Sequence, residues 1–187
     1  MLSLPNNDIY MALIRGLIDN GWKGTWNIKG DQIIIDTDFG ESLETRFKKK
    51  PLSYYEALRL SMCMGMHLAA LIPLNKSVLF FSTKTIYIID EDWYILLDPA
   101  IVSIISDNTV MQTTPIDLNE ELAPEVKNNS SLPFKTNISC AYYSLASLVV
   151  KMLDINNDLD RLAGSKLYYF LERCFVNDPS KRFFLFI

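Results

Sequence analysis

Residues 139–153, SCAYYSLASLVVKML, carry a single charged side chain, Lys151. At about 3.6 residues per turn that leaves no polar face on a helix. A helix that is apolar all round is stable only when packed on every side. The chain must therefore build layers around this segment, which needs length and apolar material. Its 187 residues suit one domain, or one domain and a small appendage. With 49% hydrophobic, 12% aromatic and 21% charged residues it has the material, and wholesale disorder is argued against. A net charge of −4 is not that of a dedicated nucleic-acid binder, so no nucleic-acid partner is expected.

No run of about 18 uncharged apolar residues occurs, so no membrane span or membrane partner is expected. The start, MLSLPNNDIYMALIRG, lacks the basic stretch and apolar block of a signal peptide. Cys63, Cys140 and Cys174 sit in apolar, helical surroundings and read as small core residues of a reducing, cytoplasmic protein. One histidine and no CxxC or HxxxH pair leave no metal site to expect, and the four N-x-[ST] matches read as chance.

Along the chain, residues 7–20 predict a helix capped by Asp8, with Ile9, Leu13 and Leu17 on one face. GTWNIKGDQIIIDT predicts a hairpin turning at Lys29-Gly30-Asp31, its Ile33-Ile34-Ile35 strand buried. Gly40-Glu41-Ser42-Leu43 opens a short helix that Pro51 ends. Ser53 and Glu56 form a capping box for a longer helix striped by Leu58, Cys63, Met64, Leu68 and Leu71, which Pro73 stops. Residues 78–97 read as strands turning at Asp90-Glu91-Asp92. Residues 98–138 lack periodicity and read as one long irregular segment. A helix over 165–175 comes next, and Asp178-Pro179 begins a last one.

Four local matches line up in this order. Thr85 to Asp98, TIYIIDEDWYILLD, is a hairpin ending in Asp. Leu122-Ala123-Pro124-Glu125 comes next, then Tyr143-Ser144-Leu145-Ala146, then Arg173-Cys174-Phe175 with Asp178-Pro179-Ser180-Lys181-Arg182. Together they resemble a protein kinase: the hairpin leading to its metal-binding Asp, its Ala-Pro-Glu, its central buried helix and its late Asp-Pro-x-x-Arg. The likeness covers roughly residues 40–184. Ile33-Ile34-Ile35 and Gly40-Glu41-Ser42-Leu43 resemble the hinge strand and the Gly-Gly-Ser-Leu after it, and the first helix stands where the regulatory helix would. The implied fold is α+β, a mainly α-helical kinase C-lobe-like domain over 40–187, with a reduced small-lobe remnant of helix and hairpin over 1–39. The first three strands, the glycine-rich loop and the Val-Ala-Ile-Lys lysine are missing upstream.

The resemblance also marks where chemistry should be. Phosphoryl transfer needs a base Asp, a metal-holding Asn and a metal-binding Asp. The His-Arg-Asp positions fall on Val78-Leu79-Phe80 and the Asn position on Thr85. Phenylalanine accepts no proton. Asp98 survives in Asp98-Pro99-Ala100 without the Phe and Gly that come after it in kinases. The central-helix Asp maps to Ala141. Asp38-Phe39-Gly40 spells the metal-binding motif but stands before the long helix, and reads as a turn. Glu125 and Arg182 both persist, which implies that the structural ion pair of the fold is kept.

Other signals have plain readings. His67 among apolar residues reads as packing. Arg46-Phe47-Lys48-Lys49-Lys50 reads as a solvated helix end, with a phosphate or acidic-peptide contact as the alternative. Met62, Met64 and Met66 read as core. Phe183-Phe184-Leu185-Phe186-Ile187 is the sharpest oddity: five consecutive apolar residues that either finish the core or enter a partner. The expectation is an inactive kinase-like scaffold or assembly subunit, with no catalytic, cofactor or metal residues. Its partner would be a protein, engaged through 183–187, with self-association as one form. The alternatives are a structural component of a particle or filament, and a residual nucleotide-binding enzyme using Asp98.

Overall fold

Two long helices form the centre of the computed structural model, which describes residues 1–37, 40–90, 92–98, 102–129, 131–156 and 158–184. Helices and strands are numbered in chain order. Helix α3 (Tyr54–Leu71) begins on the expected capping box: Glu56 N–H donates to Ser53 Oγ at 3.3 Å, and Ser53 N–H to Glu56 Oε2 at 2.7 Å. Helix α5 (Cys140–Leu153) packs against it, with Leu145, Leu148, Val149 and Met152 fully buried as its charge-free circumference required. Helix α6 (Lys166–Cys174) also packs against α5.

Helix α1 (Asp8–Asp19) is capped by Asn7, not Asp8: Tyr10 N–H donates to Asn7 Oδ1 at 3.0 Å. Asn7 has the extended backbone that a cap requires, whereas Asp8 is already helical. The hairpin is β2 (Thr25–Lys29) and β3 (Gln32–Asp36), with Gly30 at φ +59° in the turn. A further strand, β1 (Leu2–Pro5), pairs with the free edge of β3, giving the order β1-β3-β2. Four residues ending in Pro are too short a pattern to announce a strand. The middle position of β3 explains why Ile33 and Ile35 are wholly buried. Helix α1 rests on α3, and Tyr10 Oη donates to Leu97 O at 2.6 Å. The main apolar cluster thus draws on both sides of residue 39.

Strand β4 (Gly40–Ser42) leads into α2 (Leu43–Lys49), and β5 (Lys76–Val78), β6 (Ile86–Ile89) and β7 (Trp93–Leu96) come after α3. One sheet runs β4-β6-β7. The 98–138 segment is not irregular throughout. It holds β8 (Val102–Ser106), β9 (Thr109–Gln112), α4 (Pro124–Lys127) and β10 (Phe134–Asn137), in a sheet ordered β10-β9-β8-β5. The β8–β9 turn is Asp107-Asn108, both left-handed at φ 52° and 58°. Two such residues make the two-residue turn that suits hairpin twist. Without a glycine the pair does not stand out in the sequence. Leu79, Val110, Leu122, Ala123, Val126 and Cys140 form a second apolar cluster beside this sheet.

By length and composition Tyr54–Leu74 is apolar enough to cross a membrane, although Glu56 and Arg59 interrupt it, so the expected absence of an uncharged run of about 18 residues stands. Within the fold, 56% of its apolar window is buried, under α1, α5 and β7.

The expected last helix is a single tight turn, Pro179–Lys181, capped by Asp178 as expected: Ser180 N–H donates to Asp178 Oδ1 at 3.0 Å. The chain leaves that turn extended at Arg182, whose side chain is drawn inward. The fold class is α+β, as expected. All three cysteines are buried and free.

Candidate functional site

The loop joining β5 to β6 holds Phe80 and Thr85, the positions that the kinase resemblance singles out. It is tightly built. Phe81 is wholly buried, and its N–H donates to Ser144 Oγ of α5 at 2.8 Å. Thr85 closes the loop on itself: its N–H and its Oγ1 donate to Ser82 O at 3.2 and 3.1 Å. Its carbonyl accepts Leu97 N–H at 2.8 Å, and Glu44 N–H donates to Thr83 O at 3.0 Å. The loop is thereby pinned to α5, α2 and the end of β7.

Apart from Lys84, what the loop presents is apolar and hydroxylic. Phe80 lines a cleft of about 240 Å³ with Leu79, Gln112, Ile116, Asp117 and Glu120. The two acids there have local work. Asp117 Oδ1 accepts from Asn119 N and Nδ2 at 3.0 and 2.9 Å, and Glu120 pairs with Lys84 at 3.7 Å. Asp98 comes after β7, and its charge adds to burial in pushing the Tyr10 hydroxyl up to about 12. Pro99, Ala100, Asp38 and Phe39 lie outside the described residues.

Ser144 is the positioning residue that sequence reasoning missed. The resemblance puts the central-helix support of the loop at Ala141, where it is lost, and Ser144 stands about one turn further on. A serine hydroxyl on a mostly apolar, buried helix was the available signal, because such a group must find a partner.

Glu125 and Arg182 meet as expected. Arg182 Nη1 and Nη2 reach Glu125 Oε1 and Oε2 at 2.5 and 2.9 Å. The Arg182 side chain is fully buried and that of Glu125 is 23% exposed. The apolar tail divides. Phe184 packs its ring against Tyr142 and Phe170, with centroids 5.5 and 5.3 Å apart. Phe183 is half exposed, with Arg173 over its ring. Leu185, Phe186 and Ile187 lie outside the described residues.

The remaining candidates are structural. His67 is buried, with Nε2 at 3.1 Å from Tyr94 O and no partner at Nδ1; burial depresses its pKa to about 4. In the basic run, Arg46 pairs with Glu56, Lys48 with Glu44 and Lys49 with Glu41, so its charge is largely matched from within. Among the described residues no group of three or more His, Cys, Asp or Glu is arranged to hold a metal. Comparison with protein-family models finds no match, and comparison with curated proteins finds no significant relative.

Proposed function

We propose that the chain is a catalytically inactive, protein kinase-like domain that acts by binding a protein partner, as a scaffold or a subunit of an assembly. The observation that carries this reading is the β5–β6 loop. Leu79-Phe80-Phe81-Ser82-Thr83-Lys84-Thr85 offers no carboxylate or imidazole to take a proton from a substrate hydroxyl. Phe80 and Thr85 occupy the positions where the resemblance puts the base Asp and the metal-holding Asn.

The frame around the loop supports the likeness. A buried helix lies in the middle and Glu125 grips Arg182. In kinases the regulatory helix carries a glutamate that partners the phosphate-binding lysine. Here α1 contains no glutamate. Partner binding is assigned in part to the apolar tail from Phe183 onward.

Calorimetry with ATP and magnesium tests the inactive half of this reading. No saturable heat is expected, and a Kd below about 100 μM would overturn it. Deleting residues 185–187 tests the tail: partner capture or self-association should fall while the melting temperature stays. A collapse in stability with association unchanged would return the tail to the core.

A further inference from the structure

We infer that the outer face of the β5–β8–β9–β10 sheet docks an extended, acidic segment of a partner protein. This rests on the face itself and stands whether or not the kinase likeness holds. Strand alternation sorts the side chains. Ser77, Val110, Gln112 and Thr136 are buried on one face, so Lys76, Ile104, Met111 and Lys135 belong to the other. Register pairs Lys76 with Ile104 and Met111 with Lys135, so the four form a row with the apolar pair in the middle and a lysine at each end.

A solvated sheet face is normally polar. This one holds Ile104 at 70% and Met111 at 43% exposure. They border a cleft of about 540 Å³ between β8 and β9, whose ladder stops at the Ile105–Val110 pair. Two of the eleven exposed large apolar side chains among the described residues therefore border this one cleft. Isolated exposed apolar residues need no explanation, but a contiguous set marks an interaction surface.

Charge selects the occupant. Neither Lys76 nor Lys135 makes an ion pair among the described residues, so both ammonium groups are open to a ligand's carboxylates. Because β8 and β9 part at this row, the lysines stand at least three strand spacings apart, about 14 Å or more at about 4.8 Å each. An extended chain needs about four residues or more to cover that at about 3.4 Å per residue. The fitting segment has two carboxylates at least about four residues apart with a large apolar side chain between them. A second copy's apolar tail would leave both lysines unmatched, since Phe183-Phe184-Leu185-Phe186-Ile187 contains no acidic side chain. Two lysines on a chain of net charge −4 are too few for a phosphate backbone.

The test is selection from a random peptide display library against the full chain, then fluorescence anisotropy on the enriched peptide. The expected result is an acid–apolar–acid consensus. Its affinity should fall about tenfold with Lys135→Glu and with Ile104→Ser, and reversing the peptide's acid to lysine should restore binding to Lys135→Glu. Both substitutions are at exposed positions, and an unchanged melting temperature checks the fold. The proposal is overturned if no peptide is enriched, if the consensus lacks acids, or if both variants bind the selected peptide as the parent does. An apolar consensus matching 183–187 and indifferent to Lys135→Glu would also overturn it, assigning the groove to self-association instead.

Discussion

Arg182 holds Glu125 through two hydrogen bonds, and the rest of its guanidinium is also engaged. Nε donates to Val176 O at 2.6 Å, Nη2 also to Asn177 O at 3.1 Å, and the centre of the Tyr143 ring lies 4.9 Å from Cζ. One side chain thus ties α4, α5 and the last turn together. Removing the carboxylate leaves a buried cation short of its counter-charge. Glu125→Ala should therefore cost about 3–5 kcal/mol in urea denaturation. A loss below about 0.5 kcal/mol would mean that the pair behaves like an exposed one.

His67 predicts an acid-sensitive fold. Its folded pKa, about 4, lies below the ordinary 6.5 because burial penalises the cation. Between those values the unfolded chain binds a proton that the folded chain refuses. The stabilising contribution is therefore complete above pH 6.5 and is lost as pH falls toward 4. The shift corresponds to about 3 kcal/mol. Denaturation from pH 7 to pH 4 should show the loss, and His67→Met should remove that part of the slope. An unchanged slope would show that other groups set it.

Gly24 should not tolerate a side chain. Trp22 Nε1 donates to Asp90 Oδ2 at 2.8 Å, and a Cβ on Gly24 would run into both the Trp22 ring and that carboxylate oxygen. Gly24→Ala must displace the pair, at a cost of about 1–3 kcal/mol. Tryptophan fluorescence should report the shift at Trp22. Full retention of spectrum and stability would count against the contact.

Ser144→Ala should strand the Phe81 N–H inside the fold, costing about 1–3 kcal/mol. Hydrogen exchange gives the sharper readout. The Phe81 amide should exchange faster in the variant while the α5 amides do not. Uniformly faster exchange would mean that the helix, rather than the loop, had been loosened.

Much of this fold was legible because some segments allow one solution only. The 139–153 run could be nothing but a central helix, and the Ser53/Glu56 capping box fixed the start of α3. The hairpin over 25–36 carried its own turn glycine. The parts that escaped are held by tertiary contact rather than local pattern. Strand β1 exists because β3 has an open edge beside it. The β8–β9 turn uses two residues that merely tolerate left-handed backbone. Arg182 leaves its turn to reach a residue far back in the chain. The candidate site divides the same way. That Phe80 and Thr85 stand where the resemblance puts an Asp and an Asn is visible in the letters. The Ile104–Met111 face emerges only once strands are paired, and the partner of Ser144 only once α5 meets the β5–β6 loop.

The hydrogen bond from Tyr10 to Leu97 sets an order of events during synthesis. Helix α1 leaves the ribosome before α3, on which it rests, and tens of residues before Leu97, which accepts its hydrogen bond. Until then its Tyr10, Leu13, Ile14 and Leu17 lack α3, the long helix they are buried under in the finished fold. Such long-range closure slows folding and exposes apolar surface to aggregation. The nascent chain should therefore depend on chaperones until about the point where β7 emerges, and ribosome-stalled chains ending before Trp93 should show it as prolonged chaperone crosslinking to α1.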